Sequence, residues 1–307
     1  MVSNNMKNVI DCFLYFNEEE LLELRIKLLY DYVDKFVIVD SNTTHSGIKK
    51  EFTLNKVIDK LMLPRDKIEV IELDMVQVPP ATEYEKHWDE NFTESSRERL
   101  QRDAITKCLE TNNFNDDTIF IISDCDEIIN PNYIELYREY ILNHRDKIFK
   151  VDLVQLEGRA DMRAYYARNP DMPREWWRSM FICLKHNIEN VSLTSIRSEL
   201  LYKEKISYIY ENGSIARDHG WHFSWMGSNY NRFKKSISFC HANNELEFLK
   251  YNNYSSDEMQ QFLLNYNIKE GEISPGGDTN FIVKRYPIEN LPSIIFDLPR
   301  VKTFLLP

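Results

Sequence analysis

Four apolar runs, each followed by a stretch with helical spacing, fix most of what the first half of this chain can become. Val9 to Phe16 reads Val-Ile-Asp-Cys-Phe-Leu-Tyr-Phe and suits a buried strand. Asn17 then takes the N-cap place, and Glu18, Glu19 and Glu20 fill the first helical turn, where acidic groups complement the positive end of the helix dipole. Leu21, Leu24, Leu28 and Tyr32 follow at helical spacing. Lys35 to Asp40 reads as a second strand, Thr53 to Met62 as a helix and Lys67 to Leu73 as a third strand. Thr93 to Thr111 reads as a helix with Leu100, Ala104, Ile105, Cys108 and Leu109 on one face, and Asp117 to Ser123 as the fourth strand. Pro131 to His144 is helical, and Ile148 to Leu156 is a further strand. This alternation predicts an α/β fold with a mostly parallel sheet flanked by helices. Its ligand crevice is expected beyond the carboxyl ends of the strands.

The second half follows no such rhythm. Gly158 to Trp177 is rich in Arg, Tyr and Trp; Arg178 to His186 and Ser207 to Tyr210 read as strands, and Ser236 to Lys250 and Ser256 to Asn265 as helices. Asp74 to Phe92, with Pro79-Pro80, is a long irregular segment of the kind that serves a site or moves. No Gly/Ser linker separates the halves, so residues 1–307 are expected to form a single domain.

A net charge of -11 argues against a nucleic-acid binder, which needs a basic face to neutralise phosphates. The five cysteines, Cys12, Cys108, Cys125, Cys183 and Cys240, form no C-x-x-C pair, which argues against a zinc site or a disulfide framework. Residues 1–8 lack an apolar core and no run of about 18 apolar residues occurs, so neither a secretory signal nor a transmembrane segment is expected, and the expected location is cytoplasmic.

The chemistry concentrates at Ile119-Phe120-Ile121-Ile122-Ser123-Asp124-Cys125-Asp126-Glu127, where an apolar strand runs into three acids within four positions. Asp124 and Asp126, spaced by one residue at a turn, offer hard oxygen ligands for Mg2+ or Mn2+, which take one or two carboxylates together with substrate phosphates. Glu127 is placed in support. The same run also suits a solvated turn after a strand, or the paired carboxylates of a nucleotidyltransferase. In Gly220-Trp221-His222-Phe223-Ser224-Trp225, an extended chain puts the three aromatic rings on one face and His222 and Ser224 on the other. His222 is a candidate metal or diphosphate contact, and also fits a buried histidine satisfied by backbone. Arg97, Arg99 and Arg102 precede the acidic strand, and Arg102 lies off the apolar stripe of its helix, a candidate cation for a diphosphate. No G-x-G-x-x-G, Walker A or G-x-S-x-G sequence is present, which weakens the dinucleotide oxidoreductase, P-loop and α/β-hydrolase readings.

Taken in order, the motifs resemble glycosyltransferase family 17. They are Ile10-Asp11-Cys12-Phe13 with Phe16-Asn17-Glu18, then Val33 to Asn42, Thr44-His45-Ser46-Gly47, Gln101 to Ile105, Ile121 to Ile128, and Gly220 to Trp225. Asp40 stands where many relatives carry Glu, and Asp103 where Asn is common. The resemblance implies a GT-A-like, Rossmann-type fold, with residues 1–157 as the donor and metal half and 158–307 as an irregular acceptor-side half. It implies an inverting transfer from a UDP-sugar donor, UDP-GlcNAc above all, with Mn2+ or Mg2+, to a saccharide or glycoconjugate acceptor. Asp124, Asp126 and His222 would then serve the metal. Asp11, Asn17, Asp40 and His45, with Arg102 and Asp124, would face the donor. An inverting reaction needs a base, and Asp218, Asp161 and Glu199 are the candidates. A catalytically inactive relative that binds a nucleotide-sugar or glycan is the competing expectation, and turnover separates the two.

Overall fold

The computed structural model describes residues 8–75, 78, 93–174, 179–199, 202–236, 238, 268–272 and 280–306. Strand β1 (Val9–Leu14) is followed by α1 (Glu19–Leu29), β2 (Lys35–Ser41), α2 (Leu54–Lys60), β3 (Ile68–Leu73), α3 (Thr93–Asp103) and β4 (Ile119–Asp124). These strands form one parallel sheet in the order β3-β2-β1-β4, with β1 in register between β2 and β4. The apolar runs are continuous because both faces of the sheet are covered. Ile119 and Ile121 enter one core with α1 and α2, while Phe120 and Ile122 enter the other with Ala104, Ile105 and Cys108. The expected mostly parallel, helix-flanked α/β architecture is therefore present.

Two local expectations shift. Asn17 is not the N-cap of α1: it sits at φ +51°, and Glu18 occupies the cap position without a side-chain bond to the helix. The helix expected over Thr93 to Thr111 is α3, a 3-10 turn at Ala104–Lys107 and a short helix at Cys108–Thr111.

Beyond β4 the chain builds a second sheet. It contains β5 (Glu127–Ile129), which precedes α4 (Ile134–Asn143). The strand expected over Ile148 to Leu156 is two strands, β6 (Ile148–Lys150) in the first sheet and β7 (Val154–Glu157) in the second. Both pieces are fully buried, so nothing in the apolar pattern marks the change of sheet. Next come β8 (Met162–Tyr166), β9 (Asn169–Pro173), β10 (Phe181–Leu184), α5 (Leu193–Arg197), β11 (Ile206–Ser207), a hairpin of β12 (Tyr210–Glu211) and β13 (Ser214–Ile215), β14 (Gly220–Ser224), α6 (Asn229–Ser236), β15 (Phe281–Arg285) and α7 (Pro299–Leu305). β10 pairs antiparallel to β4 and β6, with β11 parallel to β6 at the edge. The second sheet runs β15-β8-β7-β14-β5, with β9 on β8, and its pairs are antiparallel except β7 with β14. The second half is thus more regular than its sequence suggests. The helices expected at Ser236 to Lys250 and Ser256 to Asn265, and most of Asp74 to Phe92, lie outside the described residues.

One glycine is dictated by this packing. A Cβ on Gly220 would stand 2.4 Å from the carbonyl oxygen of Ile128 and 2.7 Å from Leu153, so only glycine lets β14 lie against β5. That approach places His222 opposite Glu127 on one side and Gln155 on the other. The acidic turn is therefore the corner at which the chain leaves one sheet for the other.

Candidate active site

The corner is clamped from below by Arg25. Its Nε and Nη2 donate to the two carboxylate oxygens of Asp11 (2.8 and 2.6 Å), Nη1 to the carbonyls of Asp124 (2.6 Å) and Glu127 (2.8 Å), and Nη2 also to Ser123 Oγ (2.7 Å). Arg25 and Asp11 are completely buried, so Asp11 fixes an arginine and does not face a ligand. Arg25 falls four residues after Leu21, on the buried face of α1.

Above the clamp the acids are paired. Arg197 Nη2 donates to Asp124 Oδ2 (2.6 Å) and Glu127 Oε1 (2.8 Å), and its Nη1 to Glu127 Oε2 (2.9 Å). Arg102 Nη1 donates to Asp124 Oδ1 (3.1 Å) and Nη2 to Glu98 Oε1 (2.6 Å). Lys235 Nζ donates to Asp126 Oδ2 (2.6 Å) and Glu18 Oε1 (3.2 Å), and His222 Nε2 lies 3.5 Å from the same Asp126 oxygen. Burial raises Asp124 above its ordinary value despite both arginines. Burial works the same way on Asp126, but Lys235 and His222 outweigh it and hold that carboxyl well below its usual range. Burial pushes Glu18 up to about 7 against the pull of Lys235.

Glu127 is opposed by burial yet held at about 2 by Arg197, against an ordinary 4.5. A depressed carboxyl contributes stability that is present above pH 4.5 and is lost as the pH falls toward about 2. The urea midpoint is therefore expected to drop across this window, and Glu127→Gln to flatten the drop. An acid limb unchanged in the variant would remove Glu127 as its source.

A cavity of about 410 Å³ opens over the corner, within the range of small-molecule sites. Leu14, Ser41 and Asp124, the last residues of β1, β2 and β4, line it, which is the position expected for a ligand crevice in a parallel sheet. Asp126, His222, His45, Arg197 and Lys235 share the wall, as does Trp225. Trp225 lies past the end of β14 at φ +56° and so leaves the strand face shared by Trp221 and Phe223. His45 Nε2 donates to Gln101 Oε1 (2.6 Å), and burial lowers its pKa. Its loop turns at Gly47, φ +94°, where a Cβ would stand 3.0 Å from the guanidinium of Arg97; that arginine donates to the His45 carbonyl (3.0 Å).

The structure thus brings Asp124, Asp126, His222 and His45 together, with Arg102 buried behind Asp124. Other candidates lie elsewhere. Asp40 accepts from the backbone N–H of Thr53 (2.8 Å) and Leu54 (3.0 Å) and from Lys50 (2.5 Å), so it caps α2 from inside the sheet. Asn17 is exposed and its Oδ1 accepts from Thr53 Oγ1 (3.3 Å). None of the three candidate bases lines the cavity. Asp218 is held by both terminal nitrogens of Arg163 (2.9 and 3.0 Å), Asp161 by Arg159 (2.9 Å) and Arg285, and Glu199 accepts from Tyr208 Oη (2.8 Å). Arg197 and Lys235 were not legible beforehand: each sits in a short polar stretch with nothing to mark it.

The fit of a divalent cation can be tested on the donor atoms. Among the described residues no three His, Cys, Asp or Glu side chains gather into a metal shell. Asp124 is occupied by arginines on both oxygens. Asp126 and His222 fit better, because Lys235 takes only one oxygen of Asp126, Oδ2. His222 Nδ1 donates to Gln155 Oε1 (2.7 Å), which turns Nε2 toward Asp126, the arrangement in which histidines ligate metals. An oxygen and an imidazole nitrogen side by side make a partial shell that suits a divalent cation shared with a diphosphate and not a metal held by protein alone, and the imidazole favours Mn2+ over the oxygen-seeking Mg2+.

A crevice of carboxylates and cations at the ends of parallel strands is the class of site on which α/β enzymes bind phosphorylated ligands. Residues 1–154, half of the chain, match Glycosyltransferase family 17, and the chain belongs to that family of glycosyltransferases. No curated protein matches it. Among solved structures it is similar to S. aureus TarS 1-349, at 13% identity and a TM-score of 0.40 over 83% of this chain and 69% of that one. The TarS complex with UDP-GlcNAc gives 12% and 0.37 over 83% and 70%. Mouse xyloside xylosyltransferase 1 in its apo form gives 13% and 0.28 over 64% and 70%. These are loose likenesses. Among the described residues no helix is long and apolar enough to cross a membrane.

Proposed function

We propose that the chain transfers a sugar, with inversion, from a nucleoside diphosphate donor to a hydroxyl of a saccharide or glycoconjugate. UDP-GlcNAc is the donor that the family resemblance implies. The observation that carries this reading is the meeting of Asp126, His222, Arg197 and Lys235 in one cavity at the ends of β1, β2 and β4. Leaving-group departure concentrates negative charge on the diphosphate, and the enzyme's task is to offset it with cations fixed in advance. Lys235 and Arg197 present such charge, and each is oriented by carboxylates, Asp126 with Glu18 and Asp124 with Glu127. Asp126 and His222 would hold a divalent cation, whose contribution is Lewis-acid neutralisation of the diphosphate. Trp225 offers an apolar wall beside them, and the burial of Asp126 and His222 strengthens their charge contacts.

A panel of nucleotide sugars, assayed for release of the nucleoside diphosphate with and without a chelator, tests the reading. UDP-GlcNAc is expected to give the fastest release, to lose it on chelation and to regain it with Mn2+. Absence of release from every donor, with Mn2+ present and a saccharide supplied, would overturn the assignment.

A further inference from the structure

A second cavity, of about 610 Å³, lies against the first. Phe16, Glu18, Thr44, Lys235 and Ser238 line both, so the Glu18–Lys235 ion pair stands in the wall between them. The far side of the second cavity differs from the first in character. It carries Phe304, Ile48 and the exposed ring of Tyr230, with the amides of Asn17 and Asn231 and the charged Glu19, Glu20, Lys50 and Lys234 around them. Aromatic faces beside amide groups suit a sugar, whose ring carbons stack on the one while its hydroxyls bond the other.

Glu18 is unusual in its place. An N-cap residue ordinarily bends its side chain back to the helix, and Ser, Thr, Asp or Asn does this best. Glu18 makes no such bond, and its carboxylate turns to Lys235 instead. The residue before it, Asn17, holds the left-handed conformation at φ +51° that aims the chain this way. The Phe16-Asn17-Glu18 motif therefore spends a helix cap on directing a carboxylate into the wall shared by two cavities.

We propose that the second cavity receives the acceptor saccharide and that Glu18 is the base that takes the proton from its attacking hydroxyl. The proposal rests on the glycosyltransferase reading of the first cavity. As the acceptor oxygen bonds to the anomeric carbon, its proton passes to a Glu18 carboxylate oxygen. The bond from that carbon to the phosphate oxygen breaks, and its electron pair leaves with the nucleoside diphosphate. Lys235, bonded to Glu18 and Asp126 alike, keeps the base oriented on one side and offers charge to the leaving group on the other. No such junction surrounds Asp161, Glu199 or Asp218, which line neither cavity.

The test is Glu18→Gln, which keeps the side chain's size. Transfer from UDP-GlcNAc to p-nitrophenyl glucoside, galactoside, mannoside and N-acetylglucosaminide would be measured, with hydrolysis read where none is accepted. The variant is expected to lose about a hundredfold or more in kcat, while the Kd for UDP, by titration calorimetry, stays within about threefold of the wild type. Tyr230→Ala is expected to raise the KM for the glycoside about five- to tenfold. A kcat within about tenfold of the wild type, or UDP binding lost in parallel with turnover, would overturn the assignment of Glu18. An unchanged glycoside KM in Tyr230→Ala would place the acceptor elsewhere. In each of these cases the wild type still turns over donor, whereas failure of the glycosyltransferase reading itself leaves the wild type inert with every nucleotide sugar.

Discussion

Asp126→Ala is expected to reduce donor turnover about a thousandfold in a chain that remains folded. Asp126 accepts from Lys235 at 2.6 Å and lies 3.5 Å from His222 Nε2, so its removal strips the crevice of the ligand proposed for the cation and frees Lys235 to pair with Glu18 alone. Both consequences fall on the diphosphate. The fold should tolerate the change because the corner is held by the Arg25 donors to the Asp124 and Glu127 carbonyls and by the Arg197 pairs, none of which involves the Asp126 carboxylate. Release of UDP from UDP-GlcNAc, followed beside far-UV circular dichroism and the urea midpoint, checks both halves of the statement. Turnover within about tenfold of the wild type would remove Asp126 from the donor machinery.

The second large effect concerns stability. Arg25→Met leaves Asp11 without its partner in a site that water does not reach, and removes a donor from two carbonyls and a hydroxyl. Breaking a fully buried ion pair from one side costs about 3–5 kcal/mol, much of it the penalty of the stranded charge. The urea midpoint is expected to fall accordingly, and the double variant Arg25→Met, Asp11→Leu to recover a substantial part of the loss, because no charge is then left behind. A single variant within about 1 kcal/mol of the wild type would mean that the arginine is dispensable to the corner.

Arg25 also shows where sequence reasoning reached and where it stopped. The strands and helices of the first half were legible because β1, β2 and β4 are buried on both faces and each helix packs one face, so burial writes the period directly into the residues. Arg25 breaks that period on the stripe of Leu21, and a cation on a core face needs a buried anion, which was a readable signal. Asp11, on the first strand, is that anion, and a carboxylate inside an apolar run was open to the same reading. The base candidates lie outside the cavity for a different reason. Asp218, just before the Gly220 to Trp225 motif, is gripped by Arg163 of β8, and Asp161 by Arg285 of β15 as well as by Arg159 close by, and strand pairing across the second sheet leaves no mark in a single chain. Asp40 carried the right address, at the end of β2, and the wrong direction: its oxygens point back to cap α2. Lys235 and Arg197 are separated from the acids they meet by 109 and about 70 residues, a distance over which no periodicity speaks.

That separation bears on how the molecule comes to exist. Asp124, Asp126 and Glu127 emerge early during synthesis, together with Arg102, whereas Arg197, His222 and Lys235 come from the last third or so of the chain. Until those residues arrive, the carboxylates of Asp126 and Glu127 lack the cations they meet in the folded chain and Asp124 has only Arg102, so burying the three together is too costly. The corner between the sheets can therefore dry out only late, after the second sheet is threaded. The step that completes the fold is the same one that brings carboxylates and cations together around the cavity.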